Sequence, residues 1–196
     1  MRRKLKVLTI IFFRIIISKN KTKEMNRMKN KTKKLVLAAL LAALTCVATM
    51  VIRIPSPLHG YINLGDCIVL VSGWLLGPVY GLLAAGIGSA LADVFAGYFV
   101  YAPATFAIKG LMALAAYFIF KALSNTKISK AGYIISGIVA ELIMIGGYFI
   151  FEGFMYGFGA VLVNIPPNAV QGVAGIIVGT LLITVINKTH MAKKLL

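Results

Sequence analysis

Residues 91–110 read LADVFAGYFVYAPATFAIKG. One apolar run ends near Gly97, a short aromatic stretch carries Tyr98 and Tyr101, and a second apolar run starts at Pro103. Glycine and proline so placed mark a tight reversal between two helices. Each run holds a single charge among apolar neighbours, Asp93 in the first and Lys109 in the second. Two adjacent membrane spans joined by a short loop account for all of this.

The rest of the chain follows the same pattern. Its 196 residues are 60% hydrophobic and only 13% charged, where soluble domains are roughly half apolar and about a quarter charged. Mean hydropathy is +0.91. Nineteen glycines suit membrane helices, where small residues let backbones approach. The two cysteines, Cys46 and Cys67, lie in different apolar segments without metal-type spacing and read as buried thiols.

Six apolar segments are visible: about 35–52, 64–77, 79–97, 103–123, 131–151 and 167–187. A hydrocarbon core of about 30 Å needs roughly 20 helical residues. The second segment falls short, so it is tilted, buried among its neighbours or extended by the loop before it. Continuous apolar runs exclude a β-barrel, whose strands alternate, and only internally hydrogen-bonded helices suit lipid. The expected fold is an all-α integral membrane bundle of six transmembrane helices spanning residues 35–187, with basic tails at 1–34 and 188–196.

The net charge of +16 is not a nucleic-acid signal, because 13 of the 21 Lys and Arg precede Leu35. With six spans, the N-terminal cluster, Lys121, Lys127, Lys130, Lys188, Lys193 and Lys194 fall on one side, and the other side holds only Arg53. This positive-inside pattern places both termini in the cytoplasm. The apolar run 7–17 is too short to span, is interrupted by Arg14 and lacks a cleavage site. The favoured reading starts translation at Met25 or Met28; a basic amphipathic helix on the inner membrane surface is the alternative.

Helix rise gives the depth of the polar groups. Asp93 lies about 6 Å and Lys109 about 9 Å below the outer surface, and Glu141 about 15 Å from either end of its span. Asp66 opens the second span, Asn168 and Gln171 share a face of the sixth, and Tyr148 lies two turns beyond Glu141. Intramembrane ionisable groups usually face the bundle interior and mark a site. Blander roles exist for each. Asp66 in "NLGD" would cap the second span, Lys109 would snorkel outward, Asp93 and Lys109 would pair only with each other, and Glu141 would sit protonated and hydrogen-bonded. Apart from Glu141 they concentrate in the outer third of the bundle, which favours an outward-opening ligand pocket. Its candidate contacts are Tyr61, Asn63, Asp66, Asp93, Tyr98, Lys109, Glu141, Tyr148, Asn168 and Gln171.

Small residues form a second pattern. "LAALLAAL" in the first span holds Ala38, Ala39, Ala42 and Ala43; Gly81, Ala85 and Ser89 repeat the spacing in the third, and Gly175 and Gly179 in the sixth. Small-x-x-x-small is a helix-packing signal. In the third and sixth spans it is read as packing within the bundle.

The alanine strip, "YINLGD" (Tyr61–Asp66), "LLGPVYGLLAAGIGSALAD" (Leu75–Asp93) and "GYFVYAPATFAIKG" (Gly97–Gly110) together carry a resemblance. From about Lys33 to Lys188 the chain resembles the substrate-binding S components of energy-coupling factor (ECF) vitamin transporters. The last two motifs look like the subgroup associated with hydroxymethylpyrimidine, the thiamine precursor, and pyridoxine-like vitamins. The resemblance implies a multi-pass protein of a bacterial cell membrane that captures vitamin from outside and needs no cofactor. It also implies docking on a membrane T subunit through the alanine strip, import driven by two cytoplasmic ATPases, and reorientation in the membrane to release the ligand. The chain is not expected to be an enzyme. It has no Gly-x-x-x-x-Gly-Lys-Ser/Thr phosphate loop, so ATP hydrolysis belongs to the partners.

The rivals are an autonomous small transporter or channel and, further off, an intramembrane enzyme. The first usually shows internal repeats with helices broken near the midplane, and no clear repeat is found. For the second, Ser89 has no histidine near it in sequence, since His59 and His190 lie in a loop and a tail, and clustered metal ligands are lacking. Asp66, Asp93, Glu141 and Lys109 sum to minus two if all ionise. That favours a neutral or protonatable heterocycle over an anion such as pantothenate.

Overall fold

The computed structural model describes residues 30–58 and 60–189. The start-site and amphipathic readings of the basic tract, both histidines, and Lys193 and Lys194 fall outside the described residues. Six helices run in order: α1 (Asn30–Val51), α2 (Gly65–Leu76), α3 (Pro78–Phe95), α4 (Ala102–Leu123), α5 (Gly132–Tyr156) and α6 (Ile165–Lys188). Residues 30–34, read above as tail, are thus helical. Five helices are long and apolar enough to cross a membrane, and α2, with 12 residues, is not.

Helix ends follow from local chemistry. Proline stands at the first or second position of α3, α4 and α6, where its missing N–H costs no intrahelical bond. Gly77, at φ 81°, separates α2 from α3 with a backbone conformation that glycine adopts readily. Gly97, at φ 84°, ends α3. Tyr98 N donates to Asp93 O at 2.8 Å and Gly97 N to Val94 O at 3.2 Å, the paired bonds of a Schellman C-cap. The reversal expected in the opening stretch is therefore a capped helix end followed by a proline-started helix.

The loop between α1 and α2 holds a two-stranded hairpin. Strands β1 (Arg53–Pro55) and β2 (Tyr61–Asn63) pair antiparallel, with Arg53 opposite Asn63, Ile54 opposite Ile62 and Pro55 opposite Tyr61. This hairpin occupies the layer that the missing turns of α2 would have filled. Helix α2 starts beneath it and packs against α3, α4 and α6. Its Asp66, Val69, Leu70 and Ser72 are wholly buried, so the short segment resolves as a central helix.

The core lies around α2: Val69 and Leu70, Ala84 and Ala85 from α3, Met112 and Ala116 from α4, Met144 from α5 and Ile183 from α6. Outward, α1, α3, α4, α5 and α6 expose large aliphatic or aromatic side chains, among them Leu40, Val79, Leu111, Leu142 and Leu181, a surface suited to lipid. The small-residue patterns of α3 and α6 do serve internal packing. A Cβ at Gly81 would meet Ser72 O at 2.8 Å, and one at Gly179 would meet Cys67 O at 3.2 Å.

The alanine strip of α1 divides. Ala38 is buried, and Ala42 is half-buried with its carbonyl against Gly88 of α3; Ala39 and Ala43 are exposed. Of the four alanines expected on the docking face, Ala38 and Ala42 pack within the bundle and Ala39 and Ala43 stay exposed.

Candidate functional site

The polar side chains gather at the hairpin end of the bundle, around a cavity holding about 540 Å³ of empty space, including the part open to solvent. Eight of the ten sequence candidates line it: Tyr61 and Asn63 from β2, Asp93 from α3, Tyr98 from the α3–α4 turn, Lys109 from α4, Tyr148 from α5, and Asn168 and Gln171 from α6. Asp66 and Glu141 do not. They lie behind the wall, where both are buried.

Asp66 is the hub beneath the cavity. Its carboxyl accepts from Lys109 Nζ through Oδ1 and from Gln171 Nε2 through Oδ2, the latter at 2.6 Å. Gln171 Oε1 in turn accepts from the backbone N of Asn63 at 2.8 Å, and Asn63 Oδ1 accepts from Gly65 N at 2.9 Å. This network joins the hairpin, the start of α2, α4 and α6. Asn63 takes the local capping role proposed for Asp66. The acid, in the first turn of α2, is placed where a helix dipole favours negative charge, and it holds the lysine. Lys109 does not snorkel; its side chain is buried, with the ammonium 5.4 Å from the centre of the Tyr148 ring, close enough for cation–π attraction.

The expected Asp93–Lys109 pair is therefore replaced by Asp66–Lys109, and depth explains why. Helix α3 ends at Phe95, two residues past Asp93, whereas Lys109 lies seven residues inside α4. Helix rise converts this to about 3 Å against about 10 Å from the helix ends. The recessed start of α2 brings Asp66 to the deeper level.

Asp93 has a different partner. Tyr61 Oη donates to its Oδ1 at 2.6 Å. Burial first, then the Asp93 carboxyl, pushes the Tyr61 phenol up from its ordinary range, so it remains a donor. The Tyr61 ring meets Tyr98 edge-on at 5.3 Å, and Tyr98 meets Tyr101 at 6.0 Å. These edge-to-face contacts form an aromatic rim. Below it, Thr105 Oγ1 and Tyr148 Oη are bonded at 3.0 Å.

A second network closes the opposite wall. Asn164 Oδ1 accepts from Ser56 Oγ at 2.6 Å and Leu58 N at 3.3 Å, and Asn164 Nδ2 donates to Leu58 O at 2.9 Å and Glu152 Oε2 at 2.8 Å. One amide ties the loop between the strands to the end of α5. Glu152, assigned by sequence to a loop, is buried in α5, which runs on to Tyr156. Glu141 sits lower, against Gly172 and Gly175 of α6, with Asp66 and Lys109 its nearest charged groups.

Sequence reasoning missed Thr49, Ser56, Gly60, Ser89, Tyr101, Thr105, Glu152 and Asn164 as lining residues. A usable signal existed for two of them. Ser89 precedes Asp93, and Thr105 precedes Lys109, by four residues, which places each on the face of its charged neighbour. Ser89 had been counted only as a small packing residue.

The cavity offers hydroxyls, amides, carboxyls and phenols at fixed positions, a set fit for binding a small polar molecule. Among the described residues, no group of three or more His, Cys, Asp or Glu is placed to hold a metal.

Comparison with known proteins agrees with this reading. Residues 29–188 match the family model described as ECF-type riboflavin transporter, S component. The chain is 38% identical over 134 residues to an uncharacterised protein of Pyrococcus woesei, covering 68% of this chain and 87% of the relative. It is 29% identical over 168 residues to the thiamine precursor transporter HmpT of Lactococcus lactis subsp. cremoris, covering 84% and 95%. Among solved structures, the S component of a bacterial ECF transporter superposes with a TM-score of 0.62 at 28% identity, over 81% of this chain and 98% of that one. The S component for biotin from an ECF-type ABC transporter, at 21% identity and a TM-score of 0.55 over 78% and 92%, shares the fold. A polar cavity at one end of a six-helix apolar bundle and a family match over nearly the whole described chain lead to one conclusion: this multi-pass membrane protein belongs to the family of ECF-type transporter S components.

Proposed function

We propose that this chain captures a small vitamin or vitamin precursor from outside the cell, for import driven by ATPases that it recruits through a membrane T subunit. The favoured ligands are hydroxymethylpyrimidine, the thiamine precursor, and pyridoxine-like molecules. The observation that carries the reading is the cavity itself, walled by side chains that a neutral or protonatable heterocycle would satisfy. The relationship to HmpT supports the thiamine-precursor side. The test is to purify the chain alone, identify what copurifies by mass spectrometry, and titrate it with hydroxymethylpyrimidine, pyridoxine and riboflavin. Tight binding of one of the first two without turnover is expected. Preference for riboflavin would overturn the ligand assignment, and transport by the chain alone in proteoliposomes would sink the reading.

The basic residues put both termini inside, so the hairpin faces outward. Pro57 is exposed in the loop between the strands, and both native cysteines are buried. A Pro57→Cys variant should therefore react with an impermeant maleimide on intact cells. Protection of that cysteine in whole cells, with labelling only after lysis, would reverse the orientation.

Docking on the T subunit is assigned to the outward half of the alanine strip. Replacing Ala39 and Ala43 with phenylalanine should abolish most uptake while the isolated protein still binds its ligand. The same change at Ala38 and Ala42 should instead lower stability, since it overfills the α1–α3 contact. Normal uptake by the Ala39/Ala43 variant would remove this face from the docking surface.

A further inference from the structure

Two buried polar atoms in the cavity wall have no partner within the protein. Asp93 Oδ2 and Ser89 Oγ are both without a hydrogen bond, although Asp93 is 6% and Ser89 2% exposed. They lie one turn apart on α3, so they share a face, and both line the cavity. Native proteins rarely leave such groups unpaired, and each that is left asks for an explanation.

The neighbours are committed elsewhere. Tyr61 holds the other oxygen of Asp93 and so fixes the plane of the carboxyl group. The Thr105 hydroxyl lies alongside Asp93 and is bonded to Tyr148 Oη, with either of those two oxygens able to donate. Lys109 is bound to Asp66. The cavity thus presents a fixed acceptor with a hydroxyl beside it, while its one lysine is already neutralised by a carboxyl group of the protein.

We propose that Asp93 Oδ2 and Ser89 Oγ are the specificity-determining pair of the cavity, and that they receive the N–H edge of an amino-substituted nitrogen heterocycle. The exocyclic N–H donates to Asp93 Oδ2. The Ser89 hydroxyl donates to a ring nitrogen beside the amine, or accepts a second N–H. A carbonyl in place of the amine would face the carboxyl oxygen, acceptor against acceptor. Carboxylates and phosphates are rejected for the same reason, because Lys109 is not free to receive them. This assignment rests on the vitamin-capture reading above and narrows its ligand to amine-bearing rings, setting aminopyrimidines above pyridoxine-like molecules that lack the amine.

The test is calorimetric titration of the purified full chain with an aminopyrimidine alcohol and with the analogue carrying a carbonyl in place of the amine. Hydrogen bonds to charged groups are strong enough that the wild type should prefer the amine by about tenfold or more. Asp93→Asn and Ser89→Ala should each lower affinity for the amine by about tenfold, leave the carbonyl analogue within about twofold, and so collapse the preference. Ser89→Ala removes one atom from a site that the fold does not bond, so it carries the test if Asp93→Asn fails to give a monodisperse protein. Tight amine binding with the preference intact in Ser89→Ala and Asp93→Asn would overturn this pair while leaving vitamin capture standing. Binding of riboflavin or pantothenate in place of either pyrimidine would overturn this pair and the thiamine-precursor assignment, and absence of binding to any vitamin would overturn vitamin capture itself.

Discussion

Lys109→Met is expected to destabilise the protein by about 3–5 kcal/mol, because it leaves the Asp66 carboxyl buried with its cation gone. Asp66→Asn should cost a similar amount by stranding the ammonium. The double variant Asp66→Asn with Lys109→Met should recover most of the loss. It removes both charges together, and the asparagine carbonyl still accepts from Gln171. Asp93→Asn with Lys109→Met should recover nothing, since Asp93 is bonded to Tyr61 and not to the lysine. Thermal unfolding in detergent followed by Trp74 reads this directly. It is the only tryptophan and it donates to Ser136 across the α2–α5 contact. Rescue through Asp93 and not through Asp66 would show that the ion pair is the one the sequence first suggested.

That contrast also shows where sequence reasoning reached its limit. The number of helices, their order and the polar end of the bundle all followed from apolar runs and their glycine and proline boundaries, which are local signals. The pairing of Lys109 did not, because it depends on depth to within a helical turn. The estimate placed the end of α3 two residues late, at Gly97 and not Phe95. It also had no means of knowing that a hairpin would push the start of α2 down to the level of Lys109. Glu152 was lost for a similar reason, since α5 continues past Phe151 without any change of composition to mark it. The division of the alanine strip was not legible either. Adjacent residues on an α-helix point about 100° apart, and in this fold Ala38 and Ala42 turn towards the bundle while Ala39 and Ala43 stay outside.

Gly73→Ala is expected to be as damaging as a broken ion pair, although it adds a single methyl group. A Cβ at Gly73 would fall well inside van der Waals contact with the carbonyl oxygen of Ala113 in α4. That obstacle is backbone and cannot rotate aside, so α2 and α4 must part. Two glycines on α5 calibrate the effect. Gly146 has nothing within 4 Å of a built Cβ, and Gly147 would meet Ile108 Cγ1 at 2.8 Å, a side chain that can move. Gly146→Ala should be neutral or stabilising by up to about 1 kcal/mol through helix propensity. Gly147→Ala should be mildly destabilising, and Gly73→Ala should cost about 3 kcal/mol, the upper part of the overpacking range. The same substitution should reach the ligand. Gly73 follows Asp66 by seven residues on α2, and Ala113 follows Lys109 by four on α4. The contact that brings these two helices together therefore also sets the distance across which the carboxyl and ammonium meet. Moving the helices apart stretches that pair and shifts Gln171 and Asn63, which depend on it, in the cavity wall. Gly73→Ala should lower ligand affinity together with melting temperature, whereas Gly147→Ala should lower only the latter. A Gly73→Ala protein with unchanged affinity would mean that the ion pair tolerates the spread and that the wall is held by α6 alone.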